Sequence, residues 1–343
     1  RSTPPILFHH GEGFRLEKLP ADRTRVIYPG EPLDALDDVE QSIQDALLHP
    51  LDMDPLPSLL TPGMKLTIAF DDVSLPLPPM KRPDIRQRVI EAVLDMAAAA
   101  GVDDVHLIAA LALHRRMTED ELRHAVGDRV YDAFAPQGAL YNHDAEDPDN
   151  LAFLGTTKHG EEVEINKRAA ESDLLVYVNI NIVSMDGGHK STATGLASYR
   201  AIKHHHNVHT MEHSKSFMDR HSSELHHSNW RMGKVIADAG VKVFQIETTI
   251  NNDTFGETGP MSVLAKREWE WTARDRVSFI GMQKGLGLLS SSARRKAFQS
   301  HRAAIFLRLP LSLGLQGIDA QRRGAWRSRR CGFAGLDVGR ESH

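Results

Sequence analysis

The sequence predicts an α/β fold, a mainly parallel sheet flanked by helices. Two observations carry that expectation: apolar strand-like runs alternate with helical patterns, and each run ends in a polar motif. Lys65–Phe70 follows Pro62-Gly63 and reads as a buried strand running into Asp71-Asp72-Val73-Ser74. Asp84 after Pro83 is placed to cap a helix, because Ile85, Val89, Val93, Met96 and Ala100 recur at helical spacing until Gly101 stops them. Val105–Leu113 is a second strand ending at His114, and Thr118-Glu119-Asp120-Glu121 is a capping box opening the next helix. Leu140–Asp144 is a third short segment, with Val163–Asn166 pairing nearby. Leu174–Val183 is a strand rich in β-branched residues that leads into Gly187-Gly188-His189-Lys190-Ser191. Ser198–His206 returns to helix, and Gly233–Ile250 completes the pattern.

Composition bounds the function. The 343 residues are 41% hydrophobic, 25% charged and 6% aromatic, which suits globular structure and excludes disordered and fibrous classes. The longest apolar runs fall short of the roughly eighteen residues that cross a bilayer, so no membrane segment is expected. The chain starts at Arg1 without a basic-then-apolar leader, as a fragment lacking its natural start would, and the expected location is cytoplasmic. The one cysteine, Cys331, leaves any metal chemistry to the nineteen histidines, eight of which lie between His204 and His227.

The net charge of −5 hides an uneven split. Residues 290–343 hold eleven basic and three acidic residues, whereas the rest of the chain sums to −13. Arginine clusters such as Arg322-Arg323 and Arg329-Arg330 lack an apolar face. The expected organisation is one α/β domain over 1–285, then a basic, atypical tail over 286–343. That tail reads either as a nucleic-acid-binding extension or as the product of a shifted reading frame in a GC-rich gene. The second account is preferred, so no nucleic-acid partner is expected.

The Gly187-Gly188 turn lets backbone amides approach an anion, and Lys190 beside it can hold phosphate or act as a nucleophile. The same turn can equally be structural, since its spacing is neither of the familiar phosphate-loop patterns. Asp71 and Asp72 either end a strand or contact a ligand, and His143 and Asp144 divide the same way. The remaining histidines, among them His209, His213, His221, His226 and His227, read as exposed helix and loop residues.

Taken together, Asp71-Asp72-Val73-Ser74-Leu75-Pro76-Leu77-Pro78, His114-Arg115-Arg116-Met117-Thr118-Glu119-Asp120-Glu121, Asn142-His143-Asp144 and Gly187-Gly188-His189-Lys190-Ser191 resemble the nickel-pincer lactate racemase family in order and approximate spacing. The resemblance runs from about residue 27 to about residue 255. It implies an isomerase, a racemase or epimerase acting on a small 2-hydroxy acid or related alcohol by proton-coupled hydride transfer. Its cofactors would be nickel and a nickel pincer nucleotide carried covalently on Lys190. His206, sixteen residues further on, matches the nickel ligand, and His114 matches the base that takes the hydroxyl proton. Asp72 and His143 join His114 as candidate catalytic residues. Gly187, Gly188 and Ser191 join Lys190 as candidate cofactor-binding residues. Two positions depart from the family pattern: Leu75 stands where its carboxylate-binding arginine would be, and Ile180 where its second base, a histidine, would be. Lys81, Arg82 or Arg116 is then the candidate carboxylate partner, and His143 or His189 the second proton carrier. A second α/β domain expected of the family is missing or scrambled in the tail.

Overall fold

A computed structural model describes residues 2–10, 13–27, 34–72, 80–251, 254 and 268–290. These fall into two compact units, a smaller one built from residues 2–27, 80–81, 254 and 268–290 and a larger one from 34–72 and 82–251. In the smaller unit β1 (Ile6–His10) and β2 (Gly13–Glu17) form an antiparallel hairpin with Ile6 opposite Glu17.

The larger unit opens with α1 (Val39–Leu48), capped by Asp38, and the single turn α2 (Leu56–Leu59). A five-stranded sheet follows, built from β3 (Lys65–Asp71), β4 (Asp104–Ala110), β5 (Leu140–Asn142), β8 (Leu174–Asn181) and β9 (Val243–Thr249). Its order is β5-β4-β3-β8-β9, and every neighbouring pair is parallel. A parallel sheet is covered on both faces, and the strands show it: Leu66, Ile68, Ala69 and Phe70 of β3 are fully buried, as are Leu175, Val176 and Val178 of β8.

Helix α3 (Ile85–Ala99) links β3 to β4. Asp84 caps it as expected, accepting from the Arg86 amide at 2.9 Å, and Val89, Ile90, Val93 and Ala97 form its buried stripe. Between β4 and β5 lie α4 (Glu119–Val126) and α5 (Asp128–Phe134), and the capping box between Thr118 and Glu121 is present in both directions. Between β5 and β8 the antiparallel pair β6 (Leu151–Thr156) and β7 (Glu162–Asn166) and the turn α6 (Lys167–Ala170) pack on one face. After β8 come α7 (Tyr199–Ile202), α8 (Val208–His213) and α9 (Glu224–Asp238). In the smaller unit, α10 (Ala273–Leu288) begins in a capping box of Thr272 and Asp275, and Trp271 packs on Phe279 with ring centroids 5.0 Å apart.

Three expectations need correction. The strand expected over Val105–Leu113 ends at Ala110, because Ala112 turns to φ 50° and sends its amide to the Gly195 carbonyl at 2.9 Å. The helix expected over Ser198–His206 closes at Ile202, and hydrogen-bonded turns carry His204–His206. Val163–Asn166 pairs with Leu151–Thr156 in a separate hairpin. Val73–Pro79, including Leu75, and everything from Ser291 onward lie outside the described residues. No helix among the described residues is long and apolar enough to cross a membrane.

The strand order locates the site. From β3 the chain moves outward through β4 to β5, then returns to the other side of β3 for β8 and β9. The connections at the C-terminal ends of β3 and β8 therefore diverge, and such a switch point leaves a crevice where ligands bind in open α/β sheets.

Candidate active site

Strand alternation turns Asp71 and Asp72 to opposite sides at the end of β3. Asp72 accepts from His114 Nδ1 at 3.1 Å, its side chain 8% exposed and that of His114 51% exposed. A carboxylate only accepts, so this contact keeps the proton on Nδ1 and leaves Nε2 of His114 as the open lone pair. Asp71 instead faces β8: its Oδ1 accepts from the Tyr177 hydroxyl at 3.1 Å and its Oδ2 from the Ile180 amide at 2.6 Å. Burial, helped by the negative charge of Asp186, pushes its pKa up to about 7 against the opposing Ile180 amide and Lys190.

Arg86 fixes this strand end. It is 3% exposed, pairs twice with Asp84 at 2.8 and 2.9 Å, and donates to the carbonyls of Asp71 at 2.8 Å and Asp72 at 3.2 Å. The N-cap of α3 and the tip of β3 thus form one buried unit.

The Lys190 loop is moulded from within. Glu247 on β9 is 5% exposed and accepts from the Gly188 amide at 2.7 Å, Asn179 Nδ2 at 2.8 Å and Asn181 Nδ2 at 2.7 Å. Gly187 has φ +85°, and a Cβ there would lie 2.3 Å from Glu247 Oε2. Ser191 is 5% exposed; its hydroxyl accepts from Gln245 Nε2 at 2.7 Å and donates to Asn179 Oδ1 at 3.2 Å. The expected anion cradle of Gly187, Gly188 and Ser191 is therefore engaged by the protein itself, with Glu247 in the anion's place at the Gly188 amide. Asn179 and Asn181 recur with period two on β8, as do Gln245 and Glu247 on β9, and Asn179 lies opposite Glu247 in the ladder. That polar alternation inside apolar strands was the available signal for this layer.

Lys190 leaves the loop where Ser191–Gly195 widens into a π-helical turn. Its Nζ donates to Asp186 Oδ1 at 2.8 Å, and Asp186 Oδ2 accepts from the amides of Ile182 at 3.1 Å and Val183 at 3.0 Å. His206 is exposed, with Nδ1 2.8 Å from Nδ1 of buried His205. Partial desolvation, then the charges of Lys190 and His114, lowers the pKa of His206. His114 and Lys190, predicted from two motifs, and His206, predicted from its spacing to Lys190, are thus near enough for the first two to act electrostatically on the third. Among the described residues no three His, Cys, Asp or Glu side chains are grouped to hold a metal ion. The donor set fits a group that brings its own ligands: one amine to tether it and one imidazole to complete it.

Other predicted residues have different surroundings. His143 is 2% exposed, with Nε2 3.0 Å from the Ala197 carbonyl and Nδ1 3.4 Å from Asn166 Nδ2; burial lowers its pKa. Both ring nitrogens are engaged in the core, so the structure does not bring His143 to His114 as a proton carrier. Its neighbours explain the motif. Asn142 clamps the Met117 backbone by two 3.0 Å hydrogen bonds, and Asp144 pairs with Arg116, so Asn142–Asp144 supports the loop that carries His114. His189 packs against Gly233 of α9, and burial lowers its pKa to about 4. Arg82 pairs with Asp128 at 3.1 Å, and Arg115 with Glu121 at 2.6 Å. Ile180 is 5% exposed and offers no proton.

Comparison with known proteins identifies the family. Residues 10–219 match the lactate racemase N-terminal domain. Lactate racemase of Lactiplantibacillus plantarum is 25% identical over 171 residues, 49% of this chain and 38% of that protein. Lactate racemase of Thermoanaerobacterium thermosaccharolyticum is 26% identical over 176 residues, again 49% and 38%. The chain thus spans about two-fifths of the length of these relatives. The lactate racemase apoprotein structure from the latter organism superposes with a TM-score of 0.53 at 22% identity, covering 73% of this chain and 57% of that one, a likeness of fold. With more than half its length matched, the chain belongs to the lactate racemase N-terminal domain family.

Proposed function

We propose that this chain is the catalytic part of a racemase or epimerase of 2-hydroxy acids, with Lys190 carrying a nickel pincer nucleotide and His206 supplying a nickel ligand. The observation that supports it is the grouping of His114, Lys190 and His206 at the switch point of the sheet. When bound, the nucleotide supplies a reversible hydride acceptor. His114 takes the substrate hydroxyl proton at Nε2 and returns it there, while Asp72 holds the other ring nitrogen and offsets the positive charge that develops. Ile180 in place of a second base makes the proton step one-sided. Inversion then requires the planar keto acid to turn over between its two faces while its oxygen stays within reach of His114, which suits a small hydroxy acid.

The test is expression with the cofactor-making enzymes, followed by intact mass, nickel content and chiral chromatography of a 2-hydroxy acid panel. A covalent adduct lost in Lys190→Ala, nickel lost in His206→Ala and interconversion lost in His114→Ala support the assignment. A folded chain that acquires neither adduct nor nickel overturns it. Adduct and nickel without interconversion favour a second reading, a relative that holds the group without racemising, for which the Ile180 substitution is the specific motive.

A further inference from the structure

Lys190 is the nucleophile of the proposed site, yet in this structure its amine is committed elsewhere. Nζ donates to Asp186 Oδ1 at 2.8 Å, with the two side chains 26% and 14% exposed. Asp186 is not free to follow the lysine, because its second oxygen holds the amides of Ile182 and Val183. Three other titratable groups face Lys190: Asp71 from β3, His206 from the turns after α7 and His226 from α9. A charge-assisted bond of this kind fixes Nζ against an anchored carboxylate and turns it away from any other partner.

We propose that Asp186 is a lock on Lys190: it holds Nζ in an anchored, charge-assisted hydrogen bond, and acylation of that nitrogen is slow until the pair is broken. This rests on the reading of Lys190 as the tethering residue, but it concerns the empty amine and needs neither nickel nor turnover. In acylation the Nζ lone pair bonds to the acyl carbon, the bond from that carbon to its leaving group breaks, and the amine proton passes to solvent. The product is a neutral amide, which can no longer form an ion pair with Asp186, so the ion pair and the tether are mutually exclusive states of one nitrogen.

The experiment is competitive labelling of the full chain with N-hydroxysuccinimidyl acetate, read by peptide mass spectrometry across pH 7 to 9. Exposed Lys158 and Lys242 serve as internal references. The wild-type chain is expected to label Lys190 more slowly than either reference. Asp186→Asn keeps an oxygen for the two backbone amides and removes the charge, and should raise the Lys190 rate about three- to tenfold with the references unchanged. If the reference rates report misfolding of that variant, Asp186→Ser, whose hydroxyl can still accept from the loop amides, should give the same rise. A Lys190 rate that is unchanged or lower in a folded variant overturns the lock. Loss of racemase activity without a labelling change, or the reverse, separates this proposal from the functional one.

Discussion

The carboxyl of Asp71 makes the most direct quantitative prediction. Its pKa rises from 3.8 to about 7, mainly through burial, so the folded chain holds a proton there that the unfolded chain has lost. Between those two values the native state binds more protons than the unfolded state, and stability falls as pH rises until the folded carboxyl is itself ionised. Integrating from pH 5 to pH 8 gives a loss of about 2.5 kcal/mol from this one group. Asp71→Asn removes the titration while keeping an oxygen for the Ile180 amide, whose hydrogen bond is 2.6 Å long. Urea unfolding of both proteins at pH 5, 6, 7 and 8 isolates the effect, because every other titrating group cancels in the difference. The wild type should lose about 2.5 kcal/mol relative to the variant across that range. Parallel pH profiles would refute the reasoning and mean that the ionised carboxylate is well solvated.

Three further outcomes follow from the packing. Gly187→Ala and Gly240→Ala both place a side chain at positive φ, +85° and +87°, but only Gly187 meets a neighbour, Glu247 Oε2. In urea unfolding the second should cost about 1 kcal/mol and the first at least about 1 kcal/mol more. Arg86→Met leaves Asp84, 0% exposed, without its partner and should lower stability by about 3–5 kcal/mol. In the loaded enzyme, Asp72→Asn should slow hydroxy-acid interconversion by about a hundredfold through loss of the His114 tautomer control, with KM little changed and nickel content intact.

Much of the sheet was legible because its strands are apolar on both faces and its helices carry explicit caps: Asp84 and Thr118 stand where the sequence puts them. Strand β4 was read too long because Leu111–Leu113 is apolar, and nothing in composition announces that Ala112 turns left-handed. His114 and Lys190 stand out in the sequence as members of motifs, and His206 only by its spacing from Lys190. His143 stays ambiguous in the sequence because a motif marks residues that matter without saying how; in the structure its neighbours brace the His114 loop while it fills the core. The glycine turn reads from sequence as either structural or anion-binding because the carboxylate that engages it, Glu247, comes from a strand more than fifty residues away, and a partner that distant has no local signature.

The two adjacent aspartates explain why the site residues arrive together. Asp71 holds the end of β8 through Ile180 and Tyr177, and Asp72 holds the loop after β4 through His114. Arg86 fixes both of their carbonyls from the helix that follows. The loops bearing His114 and Lys190 are therefore registered against one strand tip, and a second tie, from the Ala112 amide to the Gly195 carbonyl, joins them directly. Because side chains alternate along a strand, neither aspartate can substitute for the other. A change at Asp71 acts first on the fold around the Lys190 loop, whereas a change at Asp72 acts first on His114 and the loop that carries it.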